Sequence, residues 1–82
     1  MARSFQARYV AYARAHGCSC EEMLAADRVR WPGGKMAGFM LWVAEQWRAF
    51  SEDTGEKPDS GGHWWPAQNE LFAAWLEEKT QA

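Results

Sequence analysis

Much is missing from this chain, and each absence closes a class of explanation. The longest apolar run, Phe39–Ala44, is far short of the ~20 residues that span a bilayer. No membrane-crossing helix is expected. Arg3, Gln6, Arg8 and Arg14 interrupt the N-terminal stretch, so no secretion signal is expected and the setting reads as cytoplasmic. Strict apolar–polar alternation over four or more residues is absent, which argues against strands. There is no internal repeat. Cysteine is scarce: Cys18 and Cys20 only, expected reduced in that compartment and too close in sequence for an unstrained disulfide. His16, Cys18, Cys20 and His63 are residue types that zinc takes, but paired cysteines in zinc loops are usually two or more residues apart. No metal and no cofactor is expected. Nucleophilic catalysis needs a thiol or hydroxyl beside a positioned base. Cys18 is near His16 in sequence without a third group, and the serines and threonines fall at caps and in a polar stretch. The chain reads as non-enzymatic.

What the chain does have is aromatic surface. Six tryptophans (Trp31, Trp42, Trp47, Trp64, Trp65, Trp75), four phenylalanines and two tyrosines stand in 82 residues. Each ring can bury roughly 150–250 Å². That matters in a chain so short that folding hides only about 60% of its surface. Rings left outside would make an adhesive surface. One helical domain over residues 1–82 is expected.

The periodicities predict four helices in an all-α bundle. Phe5, Tyr9, Tyr12 and His16 recur at helical spacing and define a first helix over 4–16, with Ser4 as its cap and Gly17 as its stop. Ser19-Cys20-Glu21-Glu22 is a capping box opening a second helix over 19–30. Its apolar stripe, Cys20, Met23 and Leu24, contains Asp27. An acid there either faces a basic partner or bonds free backbone amides of the next turn. Trp31-Pro32-Gly33-Gly34 breaks the chain. Met36, Met40, Val43, Trp47 and Phe50 alternate intervals of four and three, the strongest periodic signal, for a third helix over 35–50. Leu41 falls nearly on its polar face. Residues 51–63 offer almost nothing to bury and read as a long mobile loop. Pro66 then suits the first turn of a last helix over 66–79, with Leu71, Phe72, Trp75 and Leu76 on one face. The expected core is Phe5, Tyr9, Tyr12, Met23, Leu24, Met40, Val43, Trp47, Leu71, Phe72 and Trp75. Of Trp64 and Trp65, neighbours in an extended segment point opposite ways. One should pack inward; which one stays open.

The net charge of −2 hides an uneven distribution: +3 over residues 1–35 and −5 over 36–82. This reads either as solvated faces or as two halves that attract on folding. Arg28, Arg30 and Lys35 flank Trp31 around the Pro-Gly-Gly turn. Trp and Arg dominate protein-interface hot spots, so Arg28, Arg30, Trp31 and Lys35, with His63 and Trp64, form the candidate partner-binding surface. The alternative is a nucleic-acid-binding module in which Arg28, Arg30 and Lys35 meet phosphates and Trp31 stacks on a base. The acidic second half argues against it. Homodimerisation, including exchange of the fourth helix, stays open.

The stretch Arg30-Trp31-Pro32-Gly33-Gly34-Lys35-Met36-Ala37-Gly38-Phe39-Met40-Leu41-Trp42, with Leu71-Phe72-Ala73-Ala74-Trp75-Leu76, resembles small helical accessory proteins encoded in bacterial prophages. That resemblance implies a phage-derived inhibitor or adaptor that binds a host protein in the bacterial cytoplasm. It implies no functional residue.

Overall fold

A computed structural model describes the backbone of residues 3–34 and 36–81 and the side chains from Phe5 onward, except Lys35. The protein is all-α: four helices, α1 (Arg3–Ala15), α2 (Cys20–Arg30), α3 (Ala37–Thr54) and α4 (Pro66–Thr80), and no strand among the described residues. Helix α1 packs against each of the other three, and α3 also packs against α4.

The helix ends follow local chemistry. Ser4, expected as a cap, lies inside α1. The Gly17 stop holds, with the Cys18 N–H donating back to the Ala13 carbonyl at 3.0 Å. Ser19 caps α2 as expected: its hydroxyl accepts from the Glu22 N–H at 3.2 Å, and the Glu22 carboxylate accepts from the Ser19 N–H at 2.8 Å. These bonds, the backbone one first, hold the Glu22 carboxyl below its usual range. The break at Trp31–Gly34 is a pair of turns, with Gly34 N–H bonding the Trp31 carbonyl and Ala37 N–H the Gly34 carbonyl. Pro66 opens α4, and the Gln68 side chain reaches back to accept from the Trp65 N–H at 2.8 Å.

One boundary corrects the expectation. Residues Ser51–Thr54, assigned to the loop for want of apolar side chains, continue α3 by one turn. A polar turn stays helical where one side faces water and its groups find partners. Here the Thr54 hydroxyl donates to the Phe50 carbonyl at 2.7 Å, and Asp53 accepts from the Trp75 indole N–H at 2.8 Å. Gly55, at φ 81°, then stops the helix with a backbone conformation that costs glycine little. The rest of the loop folds on itself: Asp59 accepts from the Gly61 and His63 N–H groups, and its own N–H donates to the His63 carbonyl.

The interior is two aromatic clusters on α3. The first joins Tyr9, Tyr12, Ala13, Met23 and Phe39. The second joins Ala11, Phe50, Phe72 and Leu76, with Trp47, Trp64 and Trp75 packed against it. Trp42 and Val43 touch both. Tyr9, Tyr12, Met23 and Phe72 are buried as expected; Leu24, Val43, Trp47 and Trp75 are half-buried. Three expected core residues are exposed instead: Phe5 at 55%, Met40 at 65% and Leu71 at 53%. Phe39, Phe50 and Leu76 take the interior positions. Each helix has an apolar arc wider than the face it can bury, and the neighbouring helix covers only part of that arc.

Candidate functional site

The site grows from the place where α2 ends. Trp31 caps that helix, its N–H donating to the Asp27 carbonyl at 2.8 Å. Its indole is half-buried and lies over Gly38 of α3. A Cβ at Gly38 would stand 2.8 Å from Trp31 Nε1 and 2.9 Å from the Tyr12 hydroxyl oxygen. Glycine is what lets an indole and a phenol approach α3 this closely. The Arg30 guanidinium lies 5.9 Å from the Trp31 ring centroid, within reach of a cation–π attraction. Arg28 and Arg30 are both exposed.

Beside Trp31 opens a groove of 340 Å³ lined by Tyr12, His16, Asp27, Arg30, Trp42 and Glu45 among others. Asp27 is its deepest charged group, only 2% exposed. Both carboxylate oxygens lie at hydrogen-bond distance from the Tyr12 hydroxyl, 3.1 and 3.0 Å. Among the described residues, neither explanation offered for this acid from sequence finds a partner. Its side chain meets no basic side chain among the described residues, and it bonds no backbone amide there. It answers a phenol from α1. Burial, then the bond to Asp27, push the Tyr12 phenol up to about 12. His16 stacks edge-on to Tyr12 with centroids 4.9 Å apart and donates from Nδ1 to the Tyr12 carbonyl at 2.8 Å.

Of the six residues expected to form one surface, the five described fall into two groups along α3. Arg28, Arg30 and Trp31 stand at its start, and Lys35 lies outside the described residues. His63 and Trp64 stand at its other end: His63 is exposed, 3.7 Å from Asp59, and Trp64 stacks on Trp47 with centroids 4.4 Å apart. Trp47 is nine residues beyond Gly38, about 13 Å along a helix axis. Trp64 is therefore the inward-packing member of its pair, and Trp65 is the free one at 63% exposure.

The far cluster also holds a charge. The Arg8 guanidinium lies 5.4 Å from the Trp47 ring and 5.1 Å from the Phe72 ring, and donates to Asn69 at 2.8 Å. Its Nε is buried without an acceptor, and burial lowers its pKa. No Lys or Arg lies within 4.0 Å of a carboxylate among the described residues; the one imidazole–carboxylate contact there is His63 with Asp59 at 3.7 Å. The halves of opposite charge are thus not joined by ion pairs there.

His16, Cys18 and Cys20 do not assemble with His63. Both cysteines are free thiols, and no group of three or more His, Cys, Asp or Glu among the described residues is placed to hold a metal ion. No helix among them is long and apolar enough to cross a membrane. Arg30 and Trp31, as candidate contact residues, and Asp27, as an acid in an apolar stripe, signalled the groove in the sequence. Tyr12, Trp42 and Glu45 reach it from other helices and carried no local mark. The chain matches no family model, no curated protein and no solved structure.

Proposed function

We propose that this chain is a non-enzymatic binding protein whose partner is another protein, anchored at Trp31. The observation that carries the reading is the seat of that indole. It is wedged over Gly38, so its orientation is set before any partner arrives, and it borders a groove lined by exposed Arg30, with exposed Arg28 on the same helix. A pre-oriented aromatic ring beside arginines loses little conformational freedom on binding, which is the composition of interface hot spots. The groove's own acids, Asp27 and Glu45, favour a protein over a nucleic acid, because carboxylates repel phosphates. The prophage resemblance extends the proposal to a phage-derived inhibitor or adaptor acting in the host cytoplasm.

A pull-down from bacterial lysate tests this. Trp31→Ala and Arg28→Glu should each strip the captured protein while retaining a cooperative melt. Undiminished capture by both variants removes this surface. Titration with labelled DNA and RNA over a salt series gives the other reading its chance: binding that weakens steeply with salt would replace the protein partner by a nucleic acid.

A further inference from the structure

The Asp27 carboxylate is almost completely enclosed, yet the only donor the described residues give it is one neutral hydroxyl. A carboxylate has about four lone-pair sites across its two oxygens. The Tyr12 hydroxyl has a single hydrogen, and can serve one oxygen at a time. Enclosing an ion with so few partners is unfavourable unless a counter-charge or further hydrogen bonds arrive. The rings that line the groove, Tyr12, Trp31 and Trp42, bring it no further hydrogen bond among the described residues. They do suit a cation.

We propose that the groove between α2 and α3 receives an arginine side chain of the partner protein, its guanidinium meeting Asp27 and its flat face lying against Trp31 or Trp42. The choice of a protein partner rests on the reading above. Three features fit this occupant. The groove has 340 Å³, room for one long side chain. Among the described residues it carries two carboxyl groups, Asp27 and Glu45, against one guanidinium, Arg30, with the His16 imidazole also in its wall. The Trp31 ring already attracts a guanidinium, that of Arg30 at 5.9 Å. A planar guanidinium also presents paired N–H groups that match a carboxylate.

The probe is the tripeptide acetyl-Gly-Arg-Gly-amide, followed by the indole N–H resonances of Trp31 and Trp42. The expected result is a saturable shift of both signals. The isosteric citrulline peptide, which lacks the charge, should bind about tenfold more weakly, as expected from losing a charge-assisted hydrogen bond. Asp27→Asn should weaken the arginine peptide to a similar degree. Should Asp27→Asn fail to fold, Glu45→Gln at the exposed rim is the substitute and should weaken binding about two- to threefold at low salt. Arg30→Ala should tighten binding, because it removes the cation already resting on Trp31. That gain would place the peptide's guanidinium on the Trp31 face. No saturable shift in the unaltered protein, citrulline binding as tightly as arginine, or unchanged binding by a folded Asp27→Asn protein would each overturn the proposal. The two readings fail separately. A flat peptide titration alongside Trp31-dependent capture removes the arginine site and leaves the protein interface; saturable peptide binding without protein capture does the reverse.

Discussion

The two clusters on α3 each stand beside one side chain of the charged type, Arg8 or Asp27, and the two fare differently. Arg8 sits among rings with Asn69 as its one polar partner. Asp27 shares its groove with the rings of Tyr12, Trp31 and Trp42, and Tyr12 is its one polar partner among the described residues. By hydrogen-bond count the two are alike. The rings separate them, since a cation over Trp47 and Phe72 meets their negative faces and an anion does not. Arg8 thus draws support from its rings, although its Nε has no acceptor among the described residues. Asp27 is left with unmet demand, and it is Asp27 that lies at the bottom of an open groove. The difference explains why the candidate site is at the α2 end of the molecule rather than at the end with more tryptophans.

The largest effect should come from breaking the second cluster. Phe72 is fully enclosed, stacked on Trp47 at 3.7 Å and edge-on to Phe50 at 5.4 Å. Phe72→Ala should cost about 3–5 kcal/mol. Each kcal/mol lowers the melting temperature by roughly 4–8 °C in a domain of this size, so the variant should melt far below the parent or be unfolded at room temperature. A thermal melt checks it. Leu24→Ala, half-buried beside the first cluster, should cost less; the reverse order would make the first cluster the tighter one.

Next in size is the test of the two charges. Tyr12→Phe strips Asp27 of its one donor and should cost about 1–3 kcal/mol. Arg8→Met keeps an apolar but shorter side chain and loses a cation–π attraction of about 0.5–1 kcal/mol together with the bond to Asn69. Urea midpoints rank the pair, and equal losses would erase the distinction drawn between cation and anion. The Tyr12 phenol adds a pH arm. Its folded value, about 12, lies above the ordinary value of 10.0, so the folded state holds this proton more tightly. The stabilisation is complete below pH 10 and is lost as pH rises through about 12. Tyr12→Phe should remove the part of the alkaline stability loss that this phenol causes.

Helix existence was legible in the sequence, and so was the α2 cap, because both are local. Periodicity marked four helices, and Ser19 with Glu22 marked an entry that the fold reproduces. The helical extension through Ser51–Thr54 was not legible, because apolar content reports burial rather than helicity. The choice of core residue within each arc was not legible either. Met40 and Phe39 adjoin in sequence, but α1 lies over Phe39, where Tyr9 and Tyr12 meet its ring. The site was half legible. Trp31 with Arg28 and Arg30 was visible as a local constellation. That His63 and Trp64 stand at the other end of α3 depends on loop length and helix packing, which no local pattern encodes.

Two intermediate effects sharpen the α2 end. Gly38→Ala gains helix propensity of about 0.5–1 kcal/mol, but places a methyl 2.8 Å from Trp31 Nε1 and 2.9 Å from the Tyr12 oxygen. Overpacking costs about 1–3 kcal/mol, so the net change should be a modest destabilisation with a shifted Trp31 indole signal. A stabilised protein with an unshifted signal would mean that Trp31 is not wedged there. Ser19→Ala should cost about 1 kcal/mol by loosening the start of α2, and far-ultraviolet melts measure it. Glu22 is held below its ordinary value, so its share of the cap is present above that value and fades as pH falls through its lowered one. Ser19→Ala should shrink that acid-side loss.

The smallest expected effect tests the exposed rings and chains that the sequence had placed inside. Leu71 lies one residue before fully buried Phe72 and four before Trp75, so periodicity alone assigned it to the core. A step of one residue turns a helix by about 100°, and that rotation carries Leu71 out of the face that meets α1 and α3. Leu71→Ser should therefore change stability by no more than about 0.5 kcal/mol, while Leu76→Ser, on the enclosed side of the same helix, should be severe. Met40→Ser against Phe39→Ser makes the matching pair at the first cluster. A large loss at Leu71 or Met40 in the monomer would put a second layer of packing where the fold leaves those side chains open. A loss at either that grows with protein concentration would instead mark a face shared between two copies of the chain, because only an interface ties stability to concentration.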